Sequence, residues 1–394
     1  MQIDFHYYAA YCAAIIAGYT HGQAMEICYS DYLVDECSKT FLKSVDGPQS
    51  AASTQLQLEM MDMRTDILGI QDITRIWASF HFLPRDLNAD IKVRSKRYRN
   101  KYRLICGPNG ELVKETVELA RNRSLQAAGV AMHVLSDTWA HTNFAGTPSM
   151  VINNTDDYFY EYVTEDGVEK ETKISFRHSP TSPDDVEKLK YTNSIYQPDE
   201  KSIMNLGHGR AGHFPDYSYA KYKYLPAWGD YEEVVKDNPA DYYMAFCQMV
   251  YALQCLKNGT EFETGIYAFD TVEPHRETID AILRKRQRRA SDDWKAFGES
   301  LSGREIPDFD ANAYTKEYVS AAPEEKDESF LGRFFVATMA QKSMVTNKVY
   351  SSGNLLCGFS VDYAKSGFRG IKDFSKLVEM AKKEVRSNDK NSES

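Results

Sequence analysis

The sequence predicts a mainly α-helical fold, one multi-helix domain carrying small β-hairpin insertions. Three observations predict it. Apolar residues recur at helical spacing through most of the first 150 positions. Helical periodicity returns after about residue 240 and runs almost to the C-terminus. Strict two-residue alternation is confined to short stretches between.

The elements follow in order. Residues 4–18 and 22–43 read as two helices joined at GYTHGQ, and 51–68 and 71–80 as two more, with Pro84 closing the last. YRLICGPNGELVKET, residues 102–116, reads as a β-hairpin turning at PNG. A helix over 124–142 ends near Gly146-Thr147-Pro148. Residues 151–205 read as an insertion: YFYEYVTEDGVEKETKISFR alternates like a hairpin with its turn at EDG, and the polar loop HSPTSPDD follows. Helices resume at 240–257, 271–300, 325–349 and 371–386. No repeat or long linker divides 1–386, and SNDKNSES, residues 387–394, reads as a frayed tail.

Composition narrows the function classes. Hydrophobic residues are 42% and charged residues 26%, the balance of an ordinary globular domain. A net charge of −10 argues against a general nucleic-acid coat, although a local basic groove is compatible with it. The seven cysteines are scattered without a CxxC pair and read as reduced, mostly buried thiols. MQIDFHYYAAYCAAIIAG lacks a basic start and its apolar run is broken by tyrosines, so neither a signal peptide nor a membrane span is expected. The expectation is a cytoplasmic protein without membrane association.

The chemistry concentrates in LQAAGVAMHVLSDTWAH, where His133, Asp137 and His141 stand four apart in an apolar helix. At about 100° per residue, these three side chains share one face. Burying Asp137 there is costly unless a cation offsets its charge. Of nine histidines, His6, His81, His208 and His213 also sit beside glycine, proline, aromatic or apolar neighbours, and Asp216 closes GHGRAGHFPD. Imidazole mixed with carboxylate suits zinc, or failing that manganese or iron. No HExxH, Glu-x-x-His, His-Asp pair, GxxxxGK[ST] or GxSxG occurs, which sets aside several other metal and nucleophile frameworks.

This pattern resembles the superfamily of zinc-dependent phospholipases C and single-strand-specific nucleases. His133-Val-Leu-Ser-Asp137 is similar to its central His-x-x-x-Asp pair, His141 to the following histidine, His6 to the early one and His81 to the one before the pair. His208 or His213, with Asp216, stands for the late group, and Asp35 in YLVDECS for the early aspartate. Asp31, one turn earlier, and Asp66 compete with Asp35 for that place. More loosely, the whole chain resembles an uncharacterised bacterial family of about this length.

The resemblance implies a mainly helical fold and two or three zinc ions. One would take Asp35, His81, His133 and Asp137. Asp137 would bridge to a second, held by His6 and the terminal residue, and a third would take His141, one or both late histidines and Asp216. Secreted members free their terminal amine by losing a signal peptide. Here the chain opens MQIDFH, Gln2 keeps Met1 in place, and the Met1 amine is expected to serve. The separation from Asp137 to His141 is shorter, and the gap from Asp35 to His81 longer, than the superfamily shows.

The implied reaction is hydrolysis of a phosphodiester or phosphomonoester by metal-activated water, with Asp35 and Asp137 as the catalytic carboxylates. KVRSKRYRNKYR, residues 92–103, interleaves cations with Tyr98 and Tyr102 and suits a nucleotide or single-stranded nucleic acid, or else a solvated loop. RKRQRR at 284–289 reads as a solvated helix face. PDYSYAKYKYLPAWGDY, residues 215–231, would floor a cleft or pack as an aromatic core. Two rivals stand beside the phosphoesterase: a metal-stabilised binding or scaffold protein, and a phospholipase C with an apolar rim.

Overall fold

The computed structural model describes residues 1–56, 59, 67–90, 92, 95–147, 150–155, 158–165, 167–177, 183–193 and 207–357. Asp66, half of the 51–68 segment, the 371–386 helix and the tail lie outside them. The chain opens on a π-helical turn, Asp4–Ala9, that runs into α1 (Ala10–Ile16). α2 (His21–Glu36) starts at a capping box, in which Thr20 Oγ1 accepts from Gln23 N–H and Gln23 Oε1 accepts from Thr20 N–H. The helix expected over 22–43 is two: Ser38 caps a separate α3 (Lys39–Ser44). α4 (Ile67–Phe80) delivers His81 just past its end.

The hairpin expected at 102–116 does not form. α5 (Lys96–Tyr102) precedes a turn, and Gly110 stands at the N-terminus of α6 (Glu111–Ala120). α6 buries Leu112, Val113, Thr116, Val117 and Ala120, a helical stripe that the PNG turn signal masked. α7 (Leu125–Ala140), the expected motif helix, is capped by Ser124 and lies at the centre of the molecule. Every residue from Ala128 to Ala140 is buried.

Beyond α8 (Met150–Asn153), β1 (Tyr160–Glu165) and β2 (Val168–Lys173) form the expected hairpin. β3 (Ser175–Arg177) and β4 (Lys190–Thr192) pair in parallel, and α9 (Gly207–Ala211) follows. The hairpin is not a self-contained insertion. β5 (Lys221–Tyr224) and β6 (Val234–Asp237) join it in an antiparallel sheet of order β2-β1-β5-β6, with Glu161 opposite Tyr222.

α10 (Asn238–Asn258) then packs on α7, as do α2, α4 and α6. The helix expected over 271–300 is broken into α11 (Phe269–Val272), α12 (Arg276–Arg284) and α13 (Ser291–Ser302). α14 (Thr315–Ser320) precedes α15 (Phe330–Ser351), which also packs on α7. The architecture is mainly helical with a small sheet, as the sequence predicts.

Two apolar clusters result. The larger gathers the helices around α7, and the second unites Phe82, Phe144, Phe159, Tyr191, Phe214 and the tyrosines of 217–224 beneath the sheet. Tyr217, Tyr219, Tyr222 and Tyr224 are buried, so the tyrosine-rich segment is an aromatic core and not a cleft floor. The basic runs are also partly structural. Lys101 is buried, donating to Ala227 O at 2.9 Å and pairing with Asp230 at 2.6 Å. RKRQRR leaves its helix at Arg284, and Arg286 reaches inward to Glu161 at 2.7 Å.

Candidate metal centre

Close packing of two helices sets the site. Gly129 of α7 lies so near α2 that a Cβ there would stand 2.4 Å from Ile27 O and 2.9 Å from Asp31 N. That approach puts Asp31 and Asp35, one turn apart on α2, against His133 and Asp137, one turn apart on α7. The π-helical turn brings His6 onto the same face, its ring stacked on His133 at 3.9 Å. A π-turn inside a helix start often accompanies a functional residue. Here Asp4 holds it by accepting from Phe5 N and, across the chain, Ala290 N at 2.8 Å.

Asp137 is the hub. Its Oδ2 lies 3.2 Å from His81 Nδ1 and 3.3 Å from His133 Nε2. Asp35 Oδ1 completes that group, 3.6 Å from His81 Nδ1 and 3.9 Å from His133 Nε2. The other oxygen of Asp137, Oδ1, faces the opposite way, 2.7 Å from the Met1 nitrogen and 3.2 Å from His6 Nε2. The Met1 nitrogen is also 3.3 Å from His141 Nε2 and 3.3 Å from Asp216 Oδ1. His208 Nε2 meets the same Asp216 oxygen at 3.3 Å.

Four imidazoles have one nitrogen tied down and the other aimed inward. His81 Nε2 is held by Ser53 O at 2.9 Å, His133 Nδ1 by Asp31 O at 2.9 Å, and His141 Nδ1 by His81 O at 2.7 Å. His6 Nδ1 is held by Asp31 Oδ1 at 2.8 Å. This is how metal-ligating histidines are oriented, the far N–H donating to a carbonyl or carboxylate so that the near nitrogen presents its lone pair. Donors each ~2.1 Å from a tetrahedral ion stand about 3.4 Å apart. The spacings around Asp137 Oδ2 match that figure closely enough for His81, His133, Asp35 and Asp137 to fit a cation. His141, His208 and Asp216 form a second donor group.

The remaining close group, His6, Asp31 and His133, has a different character. Asp31 engages the Nδ1 side of both rings, so it orients ligands where Asp35 offers an oxygen. Among the described residues Asp31 Oδ2 finds no hydrogen-bond donor, although the residue is fully buried. That unpaired carboxylate oxygen is a standing charge that a nearby cation offsets.

Electrostatics reflect the same crowding. Burial opposes charge on His133, yet Asp137 and Asp35 push its pKa up to about 10. Burial likewise opposes the Met1 ammonium, which Asp137, Asp216 and Asp35 push up to about 11. Burial lowers His141 to about 4, the pull of Asp137 being offset in part by the repulsion of the Met1 ammonium. Against burial, His141, the Met1 ammonium, His133 and His6 hold Asp137 well below the usual carboxylate range. A cation binding here would displace these protons, since ligating imidazole and amine must be neutral.

The structure therefore gathers Met1, His6, Asp35, His81, His133, Asp137, His141, His208 and Asp216. It departs from the expected grouping in placing the Met1 nitrogen with His141 and Asp216 as well as with His6's partner Asp137. His213 stands apart: its Nδ1 lies 3.0 Å from the buried carboxylate of Asp184, and its side chain is 54% exposed. Gly212, at φ +62°, packs on Thr192 O and turns His213 away from His208. Asp184 was invisible to spacing arguments, because it comes from a distant loop.

A family model matches residues 1–349, with the description "family of unknown function (DUF6765)". The chain belongs to that family. No curated protein and no solved structure matches it. Donors of this DUF6765 member span Met1 to Asp216, all inside the matched region.

Proposed function

We propose that this chain is a metal-dependent phosphoesterase of the phospholipase C and nuclease type, holding two or three zinc ions. The observation that carries the reading is the set of three imidazoles, His6, His81 and His133, each tied at one nitrogen and turned by the other toward an oxygen of Asp137. When bound, the cations supply Lewis acidity to a phosphoryl oxygen and lower the pKa of a water.

The residues do the rest. Asp137 holds two donor groups in fixed relation. Asp31 keeps His6 and His133 in one tautomer. Asp35, 27% exposed where Asp137 is 1%, is the carboxylate that can reach both the centre and solvent. It orients the attacking water and accepts its proton at a carboxylate oxygen. Asp216 and His208, at 11% and 19%, open the other end of the centre to the leaving group.

A nucleotide or single-stranded substrate keeps less support, because the tyrosine segment and Lys101 are committed to packing. A small phosphate ester fits what remains exposed. The complete burial of His6, Asp31 and His133 favours a second reading, a structural metal centre in a binding or scaffold protein.

One experiment separates them. Metal content is measured by elemental analysis, and hydrolysis of bis-p-nitrophenyl phosphate and a single-stranded oligonucleotide is followed. Wild type is expected to carry zinc and hydrolyse an ester, His133→Ala to lose both, and protein extended before Met1 to lose part of its metal. Metal with no hydrolysis would leave the scaffold reading. No metal would end both.

A further inference from the structure

Away from the metal donors, α6, α7 and α15 enclose a pocket of about 400 Å³, enough for a small organic molecule. Leu119, Val130, Ala131, Val336, Ala337 and Ala340 give it apolar walls. None of the metal donors lines it. Two polar residues in the lining, one at each end of the argument, say what it would take.

The first is Gln341, buried at 1% exposure. Its Nε2 donates to Ser79 O and to Thr116 Oγ1, both at 3.0 Å. A carbonyl only accepts, so the amide cannot be turned round. That leaves Gln341 Oε1 buried without a donor among the described residues. An orphaned buried acceptor is costly, and a ligand hydroxyl would satisfy it. The second is Arg123, which is exposed and whose guanidinium makes no hydrogen bond or ion pair among the described residues. It stands just before Ser124, the cap of α7, so its charge adds to the positive end of that helix. The carboxylates of the lining are compensated elsewhere. Glu328 pairs with Arg333 at 3.1 Å, and Asp327 and Glu328 both precede the start of α15, whose positive end offsets them. An anion placed between Arg123 and the start of α7 relieves both.

We infer that this pocket is a binding site for a small hydroxylated carboxylic acid. Its carboxylate lies on Arg123 and the α7 N-terminus, its apolar body between the three helices, and its hydroxyl against Gln341 Oε1. Guanidinium suits the outer end, because its planar fork engages both carboxylate oxygens at once. The site shares no residue with the metal centre, so the inference stands or falls apart from the phosphoesterase reading.

The probe is ω-hydroxydecanoic acid, titrated calorimetrically into the full chain below the concentration at which it forms micelles. Wild type is expected to bind it, and to bind decanoic acid and decylamine more weakly. Arg123→Ala, a surface change, should weaken binding of the hydroxy acid by roughly ten- to one-hundred-fold, the loss typical of one charge-assisted contact. Arg121→Ala, whose guanidinium is paired with Glu118 outside the pocket, should match wild type. Ala340→Phe, which fills the space from α15, should abolish binding, and Ala337→Phe serves where that variant does not fold. No binding by wild type overturns the inference, as does tighter binding of decylamine, which would assign the rim to Asp327. Equal binding by wild type and Arg123→Ala overturns it too. Decanoic acid held as tightly as the hydroxy acid overturns the role given to Gln341. A wild-type dimer that Ala340→Phe converts to monomer, with no acid bound, would give the face to a second copy of the chain instead.

Discussion

At the residue scale, the pair Asp31 and Asp35 shows what spacing can and cannot tell. One helical turn apart, they point along the same face, so periodicity alone leaves either as the ligand. The structure separates them by what they touch: Asp31 takes the outer nitrogens of His6 and His133, and Asp35 faces the inner nitrogens of His81 and His133. Different consequences follow for the same substitution. Asp31→Asn should weaken metal affinity by about ten- to one-hundred-fold, the usual cost of losing a partner that orients a ligand. Hydrolysis should return when metal is saturating. Asp35→Asn should stay inactive under the same saturation, because it removes the base and not merely the orientation. Competition with a chromogenic chelator, run beside the hydrolysis assay, distinguishes the two. Equal behaviour of both variants would refute this division of labour. His213 illustrates the reverse failure. GHGRAGHFPD offers two histidines near Asp216, and the choice between them rests on the Gly212 turn and on Asp184, some thirty positions away, which holds His213 outward.

Elements were legible where one signal dominated. α7 has its Ser124 cap, strong helix formers and no breaker, so its span is readable almost to the residue. The 102–116 segment carried two signals, and the PNG turn outweighed the helical stripe of ELVKETVELA in the reading. In the fold Asn109 takes the left-handed conformation, but a helix follows instead of a strand. Gly129 is where an element-scale rule reverses. Glycine within a helix normally costs about 0.5–1 kcal/mol relative to alanine, so Gly→Ala there tends to stabilise. At Gly129 the added Cβ would meet Ile27 O at 2.4 Å and Ser30 Cβ at 2.6 Å. α2 must then move off α7, carrying Asp31 and Asp35 with it. Overpacking of this kind costs roughly 1–3 kcal/mol. Gly129→Ala should therefore lower the melting temperature by a few degrees and reduce metal affinity together. Gly22→Ala, with open space around its Cβ, should do neither. A Gly129→Ala protein that melts higher than wild type would mean that the helices can separate without disturbing the donors.

At the scale of the whole molecule, the mainly helical class was readable because helical periodicity covers most of the chain. The sheet was only half readable, since β1 and β2 alternate visibly but β5 comes from the tyrosine-rich 215–231 segment, which reads as a cleft floor or an aromatic core, and β6 follows it. No local pattern encodes that pairing. The same long-range logic governs stability. The centre joins the N-terminal turn, α2, the residue after α4, α7 and the 208–216 segment, which have little else in common along the sequence. A cation held by these groups binds only the folded chain, because the unfolded chain scatters them over more than two hundred positions. Its stabilisation then grows as RT ln(1 + [L]/Kd), about 1.4 kcal/mol for each ten-fold rise in free metal once [L] exceeds Kd. Chelator-treated protein should consequently melt lower than loaded protein, and the melting temperature should climb with the logarithm of free zinc through a single transition. Magnesium, which prefers oxygen ligands and retains its waters, should give little of this rise. Identical melting with and without chelator, in protein shown to contain zinc beforehand, would mean that the donors are balanced by protons and ion pairs alone, and that the ion is incidental to the fold.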